Sequence, residues 1–273
     1  MIVLITQKRS IEMKLAVTGK GGVGKSTIAS LIARIYRDTS YKVLVIDADP
    51  DMNLATILGI PDAESITPIV ELKEVIAERT GTEVGKSAPI FKMNPEVNDI
   101  PDKYAVEHNN IKLMIMGSIK KGGGGCACPE NAFLKQLISH ITLQRKEVVI
   151  LDMEAGIEHL GRGTAIGVDH MLVIVEPNMT SIETAHRIKA LSGDIGLKSL
   201  KVIGNKTANE EDKKFIKNNI KNIEILGFLD YSDDVRMISS GRTDIYSVSG
   251  APIDQLKYIL EKLNSEVSNG KRS

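Results

Sequence analysis

The chain has 273 residues, 42% of them hydrophobic, and 35 Lys+Arg balance 35 Asp+Glu. That is enough for one large α/β core, while a formal net charge of zero supplies no bulk field toward nucleic acid or anionic lipid, so neither a nucleic-acid nor a membrane partner is expected. The apolar opening from Met1 to Ile5 is too short for a signal-peptide core or a bilayer span, and the only two cysteines, Cys126 and Cys128, stand too close together for an unstrained staple, which predicts a cytoplasmic compartment with ligand-like thiols.

Residues 1–12 read as an N-terminal extension ahead of Met13. Lys14 to Thr18 reads as a buried strand, followed by a Gly-rich turn and a helix from Lys25 to Tyr36 with Ile28, Leu31, Ile32 and Ile35 on one face. Tyr41 to Ile46 is a second strand ending at Asp47. From about 61 to 131 the pattern is less regular, with a helix at Val70 to Arg79 and a hairpin at Ala105 to Met114 about Asn109-Asn110. This segment reads as an insertion that carries the cysteine loop Gly122 to Pro129. Asn131 to Leu143 has Phe133, Leu134, Leu137, Ile138 and Ile141 at helical spacing, and Glu147 to Leu151 is a strand ending at Asp152. His170 to Val175, Leu200 to Ile203 and Glu224 to Phe228 are further apolar runs, and residues 265–273 read as a polar, frayed tail. Residues 13–264 therefore predict a single α/β domain, a doubly wound and mostly parallel sheet with helices on both faces and its ligand at the carboxyl ends of the strands.

Gly19 to Ser26 satisfies the P-loop pattern G-x-x-x-x-G-K-[ST] directly after a strand and before a helix. Backbone N–H groups of Gly21, Gly22, Val23 and Gly24 can turn toward phosphate oxygens, Lys25 can reach the β/γ-phosphates, and Ser26, followed by Thr27, can coordinate magnesium. Lys20 is a second cation inside the loop, unnecessary for cradling phosphates that Lys25 already meets. It resembles the deviant loop K-G-G-x-G-K-[ST] of the ATPases that include MinD, ParA and the nitrogenase iron protein. That resemblance implies that Lys20 reaches a partner's phosphates across a homodimer formed with ATP. It further implies that Asp49, in Asp47-Ala48-Asp49-Pro50, orients the attacking water, that Asp152 holds magnesium through water, and that Gly156 follows the γ-phosphate in the second switch. Asn205-Lys206 resembles the base-reading pair of the same group, and Ala208 stands where a GTPase carries the aspartate that reads guanine, so ATP is the expected nucleotide.

Three stretches together closely resemble the CooC family, the ATPases that mature nickel-dependent carbon monoxide dehydrogenase: Gly19 to Thr27 with Asp47 to Pro50, the run Gly122 to Pro129, and Asp152 to Gly163. The resemblance covers about Met13 to Leu263 and implies ATP-dependent delivery of nickel to the active-site cluster of that dehydrogenase. It also implies that Cys126 and Cys128 hold one metal ion per dimer, and four thiolates about a two-fold axis suit tetrahedral zinc or nickel(II). His140 and His159 are further ligands on paper, although packing is the commoner role for such residues. Two other readings stand beside this one. An iron–sulfur reductase like the nitrogenase iron protein would also use four thiolates per dimer, but needs a cysteine after the second switch and none follows Cys128. A MinD-like or ParA-like positioning switch would need an amphipathic tail or a basic surface, and Ser265 to Ser273 has no apolar face.

Overall fold

A computed structural model describes residues 12–84, 90–117, 129–141, 146–155, 168–194, 197 and 199–270. Its frame is an eight-stranded sheet in the order β3-β4-β2-β5-β1-β6-β7-β8. The strands are β1 (Met13–Gly19), β2 (Lys42–Ala48), β3 (Val106–His108), β4 (Ile111–Ile115), β5 (Glu147–Met153), β6 (His170–Val175), β7 (Leu200–Thr207) and β8 (Glu224–Asp230). Every pairing is parallel except β3 with β4. The described α-helices are α1 (Lys25–Asp38), α2 (Leu54–Ile57), α3 (Lys73–Thr80), α4 (Ile100–Tyr104), α5 (Pro129–His140), α6 (Met179–Asp194), α7 (Glu210–Asn219), α8 (Asp233–Ser239) and α9 (Ala251–Gly270).

The central strands read as continuous apolar runs because helices cover both faces, so alternate residues have no solvent side to supply. All six residues of β6 are buried. Along β1 the two-residue period separates Leu15 and Val17, which pack with α1, α8 and α9, from Ala16, which joins the core under α3, α5, α6 and α7. The doubly wound, mostly parallel sheet expected from the motif order is present, and its carboxyl edge brings together the ends of β1, β2, β5, β6 and β7.

Two expected boundaries come out differently. The segment read as an insertion at about 61–131 contributes two strands to the main sheet, with β4 pairing in parallel with β2 so that Asp47 lies opposite Ile115. The hairpin itself stands as expected: Asn109 and Asn110 have φ of 49° and 60°, the two successive left-handed residues of a tight turn between β3 and β4. At the C-terminus, α9 continues to Gly270, past the Ser265 at which the frayed tail was expected. Ile253, Leu256, Ile259, Leu260 and Leu263 seat the helix in the core, and extending an anchored helix by further turns costs far less than starting one.

Candidate nucleotide site

Gly19 ends β1 and Lys25 begins α1, so the five residues between them must turn sharply. Gly22 and Gly24 do so at φ of 82° and 93°, values that side chains rarely adopt. Gly24 occupies the N-cap of α1 with no side-chain cap, and the first turn of the helix has no acidic residue. The terminal N–H groups thus face the cleft and carry the positive end of the helix dipole, which is the physical requirement of an anion site. The cleft has a volume of about 750 Å³ and is lined by Lys20, Gly21, Gly22, Gly24, Lys25, Ser26 and Thr27 from the loop, with Asp49 and Lys206 across from them. Val23 points the other way, 1% exposed, and anchors the loop in the core.

Three carboxylates gather at the ends of β2 and β5. Asp47 and Asp152 are paired in register and both are fully buried. Asp47 accepts from the backbone N–H of Asp49 at 3.2 Å and of Leu54 at 3.0 Å, which spans the loop from β2 to α2. Burial pushes its pKa up to about 7, against the pull of the Leu54 amide, and the neighbouring Asp152 adds to the rise. Burial likewise raises Asp152 to about 6, opposed by the Ser26 hydroxyl and the Lys25 ammonium. Ser26 lies near enough to favour the charged form, yet no donor among the described residues reaches either Asp152 oxygen in hydrogen-bond geometry. An orphaned, fully buried carboxylate beside a hydroxyl is a poor arrangement by itself and a good one for a hydrated divalent cation. These residues therefore fit magnesium.

Lys25, 6% exposed, pairs with Asp49 across 3.4 Å, so the cation expected to meet phosphate and the carboxylate expected to orient water share one contact. Lys20 donates from Nζ to Thr180 Oγ1 at 2.7 Å, at the start of α6. Asn205 and Lys206, expected to read the base, are turned to the phosphate loop: Asn205 Nδ2 donates to the Val23 carbonyl at 2.8 Å and Lys206 Nζ to the Gly22 carbonyl at 2.7 Å. Lys206 also pairs with Glu176 at 2.6 Å. Sequence reasoning placed Asp47 at a strand end without giving it a role and passed over Glu176 and Thr180, whose signal was position, Glu176 directly after β6 and Thr180 in the first turn of α6 on this edge. Gly156, His159, Cys126 and Cys128 lie outside the described residues. His140, at the end of α5, hydrogen-bonds the Gln136 carbonyl of its own helix at 3.2 Å. Among the described residues no group of three or more His, Cys, Asp or Glu could hold a metal by itself, and no helix is long and apolar enough to cross a membrane.

Comparison with known proteins bears on this geometry. Residues 14–244 match the family model of the CobQ/CobB/MinD/ParA nucleotide binding domain. The carbon monoxide dehydrogenase accessory protein CooC of Rhodospirillum rubrum is 40% identical over 257 residues, 93% of this chain and 97% of that protein. An ATP-binding protein of Methanocaldococcus jannaschii, MJ0823, is 47% identical over 226 residues, 82% of this chain and 87% of its own length. Among solved structures, MinD of Pyrococcus horikoshii complexed with Mg-ADP superposes with a TM-score of 0.65 at 14% identity, covering 92% of this chain and 95% of that one. MinD in the Aquifex aeolicus MinC:MinD complex gives the same TM-score, 0.65, at 21% identity, with 92% and 95% covered. At those identities the structural matches speak for the fold.

Proposed function

Because the chain belongs to the CobQ/CobB/MinD/ParA nucleotide-binding family and within it to the CooC-like ATPases, we propose that it couples ATP hydrolysis to delivery of nickel into the active-site cluster of a nickel-dependent carbon monoxide dehydrogenase. The observation that carries this reading is the 40% identity to a dehydrogenase accessory protein along 97% of that protein's length. A match of that extent leaves no room for a separate domain to hold the relative's role.

The hydrolytic half follows from the site. The loop amides and Lys25 bind the β/γ-phosphates, and Ser26 and Asp152 would hold magnesium, which would supply positive charge to the phosphates. As polyphosphate oxygens compete for the Lys25 ammonium, the pair across 3.4 Å loosens and Asp49 is released to orient water for in-line attack. Asp47 keeps that loop in place by its two backbone contacts. Lys20, reaching the phosphates of a second subunit, makes a homodimer depend on ATP. Asn205 and Lys206 border the base and fix the loop beneath it.

The metal half rests on Cys126 and Cys128, two thiolates from each subunit giving four sulfur ligands for one nickel or zinc ion, the cargo of the reaction. The described flanks support a link between the halves. The N–H of Met116 donates to the Asp47 carbonyl at 2.8 Å, so the chain that precedes the cysteine segment ends beside the loop that carries Asp49. Cys126→Ser with Cys128→Ser is the test. We expect loss of one bound nickel or zinc per dimer, with basal ATP hydrolysis retained, and a client dehydrogenase short of nickel when nickel is scarce. Unaltered metal stoichiometry would remove the cysteines as ligands, and normal client activity at limiting nickel would refute delivery.

A further inference from the structure

The corner between β6 and α6 makes an unbroken chain of polar contacts to both ends of the exposed part of the phosphate loop. Lys20 Nζ donates to Thr180 Oγ1 at 2.7 Å, and the Thr180 hydroxyl donates to Asn178 Oδ1 at 2.8 Å. Asn178 Nδ2 donates to Glu176 Oε2 at 3.2 Å, and Glu176 Oε1 lies 2.6 Å from Lys206 Nζ. Lys206 in turn donates to the Gly22 carbonyl at 2.7 Å, and the two peptide bonds from Lys20 to Gly22 close the ring.

Each member has little freedom to turn. The Asn178 carbonyl oxygen also accepts from the N–H of Ser181 at 2.9 Å, so its NH₂ must face Glu176. The Glu176 N–H donates to Ser181 Oγ at 3.0 Å, and Ser181 is 1% exposed, which seats the corner in the core. Glu176 is the only member whose side chain offers two acceptors to two different donors, and both are in use. A glutamine there could accept from Lys206 or from Asn178, while its NH₂ would meet the other donor head-on. Lys206 is itself at φ 56°, a strained backbone that its two side-chain contacts help to hold.

We propose that Glu176 is a positioning residue for nucleotide binding, clasping the phosphate loop through Lys206 at Gly22 and through Asn178 and Thr180 at Lys20. A loop held in its binding shape before the nucleotide arrives spends less of the interaction energy on ordering. Loosening it weakens ground state and transition state alike, which raises KM and leaves kcat nearly unchanged. Charge alone predicts the opposite sign, because deleting a carboxylate near a polyphosphate site favours binding. Weaker binding after its removal therefore reports lost positioning.

This inference rests on the ATPase reading and not on the identity of the metal. The test uses the full chain with Glu176→Gln, Asn178→Ala, Lys206→Met and the double variant Glu176→Gln/Lys206→Met. Calorimetry gives Kd for Mg-ATP, steady-state assays give kcat and KM, and thermal melts report folding. We expect Glu176→Gln to raise Kd and KM by about tenfold, the scale of one charge-assisted hydrogen bond, with kcat within about twofold. Asn178→Ala should shift Kd in the same direction, and it stands as the second arm if Glu176→Gln folds poorly. In a Lys206→Met background, adding Glu176→Gln should change Kd by less than about twofold, because the Lys206 arm is already lost and the glutamine carbonyl oxygen still accepts from Asn178. Unchanged or tighter ATP binding in Glu176→Gln, or effects that simply add in the double variant, would overturn the proposal. Wild-type protein that binds no ATP would overturn instead the reading beneath it.

Discussion

Replacing Gly19 by alanine tests whether the phosphate loop is built on a close approach of two strands. Gly19 is the last residue of β1 and lies opposite Ile174 of β6. A Cβ there would stand 2.5 Å from the Ile174 carbonyl oxygen and 3.2 Å from Val23 Cγ2, at a φ of 146° that side chains rarely adopt. The oxygen belongs to the backbone of a strand paired on both edges, so no rotamer change relieves the clash. Backbone strain of about 1–3 kcal/mol and overpacking of about 1–3 kcal/mol give a cost on the order of 2–6 kcal/mol. That is a large share of a typical stability of about 5–15 kcal/mol, and at about 2 °C per kcal/mol for a chain of this size it corresponds to a fall in melting temperature of roughly 4–12 °C. Gly21→Ala is the matched comparison, since a Cβ at Gly21 meets nothing within 4 Å yet borders the cleft. It should melt within about 2 °C of wild type, while weakening nucleotide binding by intruding on the phosphate site. Differential scanning fluorimetry with and without Mg-ATP separates the two. If Gly19→Ala melts with the wild type, the strand approach and the loop geometry derived from it are wrong.

Four further outcomes follow from the same edge of the sheet. Asp49→Ala should bind ATP with near-normal affinity and lose turnover, because the carboxylate orients water and does not hold phosphate; substantial single-turnover hydrolysis in that variant would refute the assignment. Asp47 has a folded pKa of about 7 against 3.8 for the free group, so between these values the folded state holds the extra proton and stability falls as pH rises from about 4 to 7. Asp47→Asn should flatten that decline in denaturant titrations without metal or nucleotide, leaving the smaller slope due to Asp152 at about 6; an unchanged slope would exclude Asp47 as its source. Lys20→Ala should still bind ATP through Lys25 but fail to form the ATP-dependent dimer, and an unaltered shift in sedimentation would count against the trans role. ATP should be hydrolysed in strong preference to GTP, since Ala208 offers guanine no carboxylate, and similar kcat/KM for the two nucleotides would contradict it.

The motifs and their order were legible because each depends on neighbours in the chain: a strand, a glycine turn and a helix start in register place Lys25 and Ser26, and an Asn-Asn pair forces the hairpin between β3 and β4. What escaped sequence reasoning was pairing at a distance. Ile111–Ile115 looks like half of a local hairpin, and nothing in those residues states that the other edge of the strand joins β2. The same limit explains Asn205 and Lys206. Their spacing from the strand shows that they reach the nucleotide edge, but whether they face a base or the phosphate loop depends on what stands beside them. The parallel pairing of β6 with β7 sets Val175 opposite Gly204, which brings Glu176 next to Asn205 and Lys206 near the end of β7 from a point 30 residues before Lys206 in the chain. A carboxylate in that place draws the lysine across the loop, and the direction of a side chain that looks like a base reader is decided by a strand register that no local pattern records.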